Sequence, residues 1–173
     1  GSLLSGRRPG IGLSPRGWEQ AKQVAGAFVG FTASGLYSSP VQRCRETASA
    51  FTEVLGLEVQ EVEGLTEVDF GEWEGRPLTE LAREPLWKVV QVAPSRARFP
   101  GGESVTEMQV RSVAAVEAIA ERHVGEAAVV VAHADVIKAV VAQSIGMHLD
   151  HYQRLSVAPA SCSMLTLTPF GVL

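Results

Sequence analysis

Leu36-Tyr37-Ser38-Ser39-Pro40-Val41-Gln42-Arg43-Cys44-Arg45-Glu46-Thr47 is the junction on which the fold turns. A short apolar strand, Leu36 to Ser38, ends in two small hydroxyl residues. Pro40 then opens a helix in which Val41, Cys44, Ala48, Phe51 and Leu55 recur at three- and four-residue steps, and Gly56 stops it. Arg43 and Arg45 fall in its first turns, where unpaired backbone N–H groups favour an anion. The junction therefore reads either as a phosphate cradle or as an ordinary strand-to-helix turn with solvated arginines. Arg43 lies off the apolar stripe and can reach elsewhere, whereas Cys44 lies on it and reads as a small buried thiol.

Outward from that junction, strand and helix patterns alternate. On the N-terminal side, Ser5 to Gly12 (SGRRPGIG) is an exposed loop, and Ser14-Pro15 caps a helix with Trp18, Ala21, Val24, Ala25, Phe28 and Val29 on its buried face up to about Gly30. On the C-terminal side, Glu58 to Val62 alternates like a strand exposed on one face. Leu65-Thr66-Glu67-Val68-Asp69-Phe70-Gly71-Glu72-Trp73-Glu74-Gly75 carries four carboxylates and two aromatics, a surface loop pinned by Phe70 and Trp73 unless its acids have work to do.

Thr79 to Val92 is helical with a break at Pro85, and Pro94 to Gly102 is a loop. Ser104 with Glu107 forms a capping box for a long helix buried through Met108, Val113, Val116 and Ile119. That helix ends near His123, which reads as a surface residue at a helix terminus. Ala127 to Ala132 is the most continuous apolar strand, a central one by its pattern, and His133 follows at its end, where open α/β sheets place ligands. Asp135 is the expected cap of the next helix, buried through Val136, Ile137, Val140 and Val141, and Cys162 to Thr168 is the expected last strand.

A chain of 173 residues, 46% hydrophobic and 20% charged, suits a single α/β domain over 1–173. Its net charge of -4 is spread without long runs, so no broad basic face is offered to nucleic acid or to an anionic membrane. No apolar run is long enough to span a bilayer and no charged start followed by an apolar stretch suggests a signal peptide, so we expect a cytoplasmic protein. Two cysteines, Cys44 and Cys162, make no disulfide framework. His148, Asp150 and His151 lack the context that would fix a coordination shell, so we expect no metal. The chain starts Gly1-Ser2 and its first methionine is Met108, so residues upstream are expected.

Three residues that follow strand ends have complementary chemistry. The planar fork of Arg43 can hold two phosphate oxygens, His133 can donate to another, and Glu67, if kept protonated, can supply a proton to a leaving alcohol. This set suits phosphoryl transfer but lacks a nucleophile: either water attacks directly or the attacking group lies upstream.

The segments SGRRPGIGLSPRGWEQA from Ser5, YSSPVQRCRETA from Tyr37, LTEVDFGEWEG from Leu65, PGGES from Pro100 and VVVAHADVIKAV from Val129 lie in register across nearly the whole chain. In them the sequence resembles the histidine phosphatase superfamily, the phosphoglycerate mutase-like proteins, and within it the small bacterial phosphatases. The resemblance implies a three-layer α/β/α sandwich with a mostly parallel central sheet. It implies that Arg43 binds the phosphate, that Glu67 is the proton donor, and that His133 is the second histidine supporting the transition state. Ser5, Gly6 and Arg7 match the loop that contacts phosphate or substrate, and Ala134 stands where a glycine is common and is expected still to offer its backbone N–H. The expected substrate is a small phosphorylated metabolite, with no metal or organic cofactor.

The family's Arg-His-Gly, with the nucleophilic histidine at the end of the first strand, is not among the 173 residues, so the resemblance places it and its strand upstream of Gly1. The expected activity is phosphomonoester hydrolysis through a phosphohistidine in the parent protein, the chain as given being inactive. The alternatives are a phosphoglycerate mutase, disfavoured by the short acidic segment, and a phosphoester-binding pseudophosphatase without catalysis.

Overall fold

Gly35–Ser38 (GLYS) is buried on both faces and Ala128–Val131 (AVVV) is apolar on both, and this sets the layers. The computed structural model describes residues 2–168 and 171–172. In chain order it contains α1 (Pro15–Gly26), β1 (Gly35–Ser38), α2 (Gln42–Leu55), β2 (Val59–Glu61), α3 (Leu78–Leu81), α4 (Pro85–Val92), α5 (Val105–Arg122), β3 (Ala128–Val131), α6 (Ala134–Ser144), β4 (Leu167–Thr168) and β5 (Gly171–Val172). The main sheet runs β2-β1-β3, all parallel, with Leu36 beside Val59 and Val129, and Ser38 beside Glu61 and Val131.

Side chains on successive strand residues point to opposite faces, which assigns the helices. Leu36, Val129 and Val131 pack with Ala25 of α1 and Phe51 of α2, while Tyr37, Ala128 and Val130 pack on the other face with Leu65 and with Ile119 of α5. The result is the expected α/β/α sandwich. A larger cluster joins Phe70, Trp73, Leu81, Val90, Phe99, Met108, Val136 and Tyr152, so α4, α5 and α6 share one core with the acidic segment. Phe70 meets Phe99 edge-on at 4.9 Å and Trp73 stacks near Trp87 at 6.2 Å, which pins that segment from below.

Several local expectations are refined by the packing. The helix after β1 begins at Gln42, two residues beyond Pro40, and ends at Gly56 in the left-handed conformation with φ 67°. The first helix stops at Gly26, and Val29 is 76% exposed, because the turns that follow carry it off the buried face. The Pro85 break separates α3 from α4, and the Ser104–Glu107 capping box is present. The cap of α6 is His133, with Asp135 inside the first turn, so Asp135 is not the N-cap.

Two strands differ more. β3 was expected at the centre of the sheet, yet among the described residues it pairs only with β1 and its four residues are half-buried. The strand expected over Cys162 to Thr168 is limited to Leu167–Thr168, which pairs antiparallel with Gly171–Val172, because the residues before it have no ladder partner among the described residues.

Candidate active site

β1 and β3 run parallel and end side by side, so Ser39 and His133, each one or two residues past a strand, arrive together. The Ser39 hydroxyl and His133 Nε2 are 2.8 Å apart, and Ser39 Oγ also accepts the Val41 N–H at 3.2 Å. From the first turn of α2, Arg43 donates through Nη2 to His133 Nδ1 at 2.9 Å, and through Nη1 to the Gly6 carbonyl at 3.0 Å. Because a guanidinium only donates, His133 Nδ1 is the acceptor and Nε2 carries the proton toward Ser39. Cys44 Sγ backs the same ring at 3.5 Å, and burial pushes its thiol up to about 12, consistent with an inert, buried role.

Glu67 follows the short turn Glu63–Leu65 that closes β2. Its Oε2 lies 3.3 Å from Arg43 Nη2 and 3.5 Å from His133 Nδ1. Arg43, Glu67 and His133, separated by up to 90 residues in sequence, therefore meet side chain to side chain. Burial, followed by the charge of Asp135, raises the Glu67 carboxyl to about 7, although the Val68 N–H and the charges of Arg43 and Arg111 oppose the rise. Burial, and then the charges of Arg43, Arg111 and Arg7, lower His133 to about 3. A carboxyl that exchanges its proton near neutral pH, a neutral imidazole and a fixed guanidinium thus stand within contact of one another.

Ala134 is the first residue of α6, with its backbone N–H at the free start of the helix. Gly6 is buried and its carbonyl anchors Arg43, while the Ser5 carbonyl accepts the Arg8 N–H at 3.1 Å to close the loop turn. Arg7, expected in the loop that contacts phosphate or substrate, directs its guanidinium into the acidic segment. Its Nε donates to the Glu67 carbonyl at 2.7 Å, its Nη2 to Glu103 at 2.9 Å, and its Nη1 lies 3.5 Å from Asp69. Acidic partners surround this guanidinium, so it braces the acidic segment.

Arg111 of α5 was not singled out from sequence. It donates to the Gly64 and Glu67 carbonyls at 2.9 and 3.1 Å and pairs with Glu103 at 2.6 Å. The only sequence signal is that Arg111 is the one basic residue in the first half of a long helix. Glu103 sits inside PGGES, whose glycines explain the motif: a side chain on Gly71 would collide with the Pro100 carbonyl, and one on Gly102 with the Asp69 carbonyl, so the two loops interlock backbone to backbone. His123, expected at the surface, is half-buried and held on both sides of its ring. Its ring bonds Ser34 Oγ at 2.7 Å and the buried Tyr37 hydroxyl at 2.9 Å. His148 and Asp150 pair at 3.5 Å, and among the described residues no group of three His, Cys, Asp or Glu could hold a metal ion.

An arginine, a neutral histidine and a carboxyl that titrates near neutrality at the strand ends of a parallel sheet make a set equipped for phosphoryl transfer. The chain belongs to the histidine phosphatase superfamily (branch 1), whose family model it matches over residues 3–172. It is 30% identical over 156 residues to phosphoserine phosphatase 1 of Hydrogenobacter thermophilus, covering 88% of this chain and 74% of that protein. It is 27% identical over 155 residues to the probable phosphoglycerate mutase GpmB of Salmonella choleraesuis, covering 88% of this chain and 72% of that one. Its fold is that of a phosphoserine phosphatase mutant from Entamoeba histolytica crystallised with phosphoserine, with a TM-score of 0.85, 23% identity, and coverage of 99% of this chain and 85% of the other. No helix of the described residues is long and apolar enough to cross a membrane.

Proposed function

We propose that this site hydrolyses a small phosphomonoester through a phosphohistidine intermediate. The attacking histidine belongs to a strand outside the 173 residues, paired along the free edge of β3, and the chain as given does not turn over. Arg43 and the Ala134 N–H hold the phosphoryl oxygens, and His133 supports the charge that grows on them. The histidine nitrogen attacks phosphorus, the bond to the ester oxygen breaks, and Glu67 gives that oxygen its proton. The Glu67 carboxylate then takes a proton from water as the water attacks phosphorus, the P–N bond breaks, and phosphate and the free histidine result.

The convergence of Arg43, Glu67 and His133 carries this reading, because it sets a carboxyl that burial raises to about 7 beside a guanidinium and an imidazole. Phosphoserine, the substrate in the name of the Hydrogenobacter relative, is a substrate to test first. Trapping phosphate on a histidine in the full-length protein supports the intermediate; turnover without it overturns that step. Glu67→Gln should slow hydrolysis of alkyl phosphates far more than of aryl phosphates, whose leaving groups need no proton; equal effects sink the acid role.

A mutase reading is favoured by the GpmB relative. Against it, the acidic segment passes from Trp73 to α3 at Leu78 with no insertion that could hold an acceptor substrate. Transfer to a phosphoglycerate exceeding hydrolysis would reverse the ranking. A non-catalytic phosphoester-binding role is the outcome if the extended chain binds phosphate but turns nothing over.

A further inference from the structure

Glu103, in the PGGES segment, has no part in the chemistry above, yet its carboxylate ties together everything behind Glu67. Its Oε1 accepts from Arg7 at 2.9 Å, from Arg111 at 2.6 Å and from the Asp69 N–H at 2.9 Å, and its Oε2 accepts from Arg111 Nε at 3.0 Å. Both guanidiniums also donate to one further acceptor, the backbone carbonyl of Glu67, at 2.7 and 3.1 Å. Two arginines thus grip the main chain of Glu67 while its side chain points to Arg43 and His133. We propose that Glu103 is a positioning residue for Glu67: it holds Arg7 and Arg111 against the Glu67 carbonyl and leaves the Glu67 carboxyl facing Arg43 and His133.

Burial of Glu103 opposes its ionisation, but the bonds from Arg111 and the Asp69 N–H and the charges of Arg111 and Arg7 outweigh it and hold this carboxyl below the usual range. It is therefore a permanent negative charge between two cations. Without that charge, Arg7 keeps Asp69 at 3.5 Å, Arg111 keeps no ion-pair partner among the described residues, and the charge of Arg111 already acts on the Glu67 carboxyl. The groups that face Glu67 are Arg43 and Cys44 of α2, His133, Asp135 of α6, Arg111 of α5, Arg7 of the N-terminal loop and Tyr152 of the turn after α6. Of these, only Arg7 and Arg111 are bound by Glu103, so the substitution acts through them.

The inference rests on the general-acid reading of Glu67, and a direct titration separates the two. The 173-residue chain, labelled with carbon-13 at the glutamate carboxyls and free of phosphate, is titrated by NMR, with Glu67→Gln assigning the Glu67 signal. The wild-type midpoint should lie near 7. In E103Q it should fall by about one pH unit or more, the effect of an unbalanced cation at contact distance. Adding Arg111→Met to E103Q should bring it back up, which a merely structural role of Glu103 would not do.

An unmoved midpoint in E103Q, or a double variant no different from E103Q, overturns the proposal. If E103Q does not fold, E103D is read in its place, with a smaller fall expected and no fall overturning it. A wild-type midpoint in the ordinary carboxylate range defeats the general-acid reading itself. A normal wild type with an immovable E103Q defeats only the positioning role.

Discussion

Two histidines sit at opposite ends of the same pair of strands. His133 lies past the C-terminal ends of β1 and β3 and bonds Ser39 at 2.8 Å; His123 lies near their N-terminal ends and bonds Ser34 at 2.7 Å. Each ring has both nitrogens engaged, one by a serine hydroxyl. The difference is the company. Around His133 stand Arg43, Glu67 and, further back, Arg7 and Arg111; around His123 stand the Tyr37 hydroxyl and Glu126 at 3.6 Å. Equivalent imidazoles on one sheet thus serve opposite ends: one joins a cluster of arginines and a buried carboxyl, the other ties α5 to β1. Parallel strands concentrate ligand chemistry at their C-terminal ends because helix starts, with free N–H groups, follow there.

The largest effect expected from breaking this contrast is Arg43→Ala. It removes the guanidinium shared by Gly6, Glu67 and His133, and phosphate affinity should fall about 100-fold, in the range for losing one partner of a desolvated charge pair. The shift of melting temperature with added phosphate measures it, and an undiminished shift would show the cradle lies elsewhere. His123→Ala should leave that shift intact while costing about 2 kcal/mol of folding stability, since the buried Tyr37 hydroxyl loses its partner. Urea denaturation reads the loss; a matching loss of phosphate binding would erase the distinction between the two ends.

The pH dependence of stability sharpens the same contrast. Glu67, raised from 4.5 to about 7, contributes stability that is complete below 4.5 and is lost as pH rises to 7. His133, lowered from 6.5 to about 3, contributes stability that is complete above 6.5 and is lost as pH falls to 3. Between 4.5 and 6.5 the two slopes oppose each other. Glu67→Gln should therefore melt at rising temperature as pH rises across that window, and His133→Gln at falling temperature. Parallel profiles for both variants would refute the coupling. The smallest effect belongs to Ala134→Gly: the position is helical, with no positive φ to relieve, so phosphate binding should change less than about twofold and the helix should lose at most ~1 kcal/mol.

Much of the fold was legible locally. The stripe from Cys44 to Phe51, the Pro85 break and the capping box at Ser104 are statements about neighbours in sequence, and the structure repeats them. Arg43 was readable because it stands off its helix's apolar stripe, and His133 because it ends an apolar strand. Asp135 was misread because a short acid beside a helix start is a good cap in general, whereas here the chain enters the helix two residues earlier and the acid turns toward Lys138 at 3.6 Å. His123 was misread because its exposure is decided by Tyr37, which lies 86 residues away.

By itself the sequence determined the order of helices and strands, the placement of three chemically matched residues after strand ends, and the family, because periodicity and capping act over a few residues and motifs keep their order along the chain. The tertiary structure alone decided that Arg7 braces Glu67 from behind, that Arg111 and Glu103 complete that brace, and that β3 keeps one edge unpaired among the described residues. Those outcomes depend on contacts such as Arg7 to Glu103, 96 residues apart. No local pattern encodes such a contact; only the packing of the interlocked loops against α5 brings its charges together.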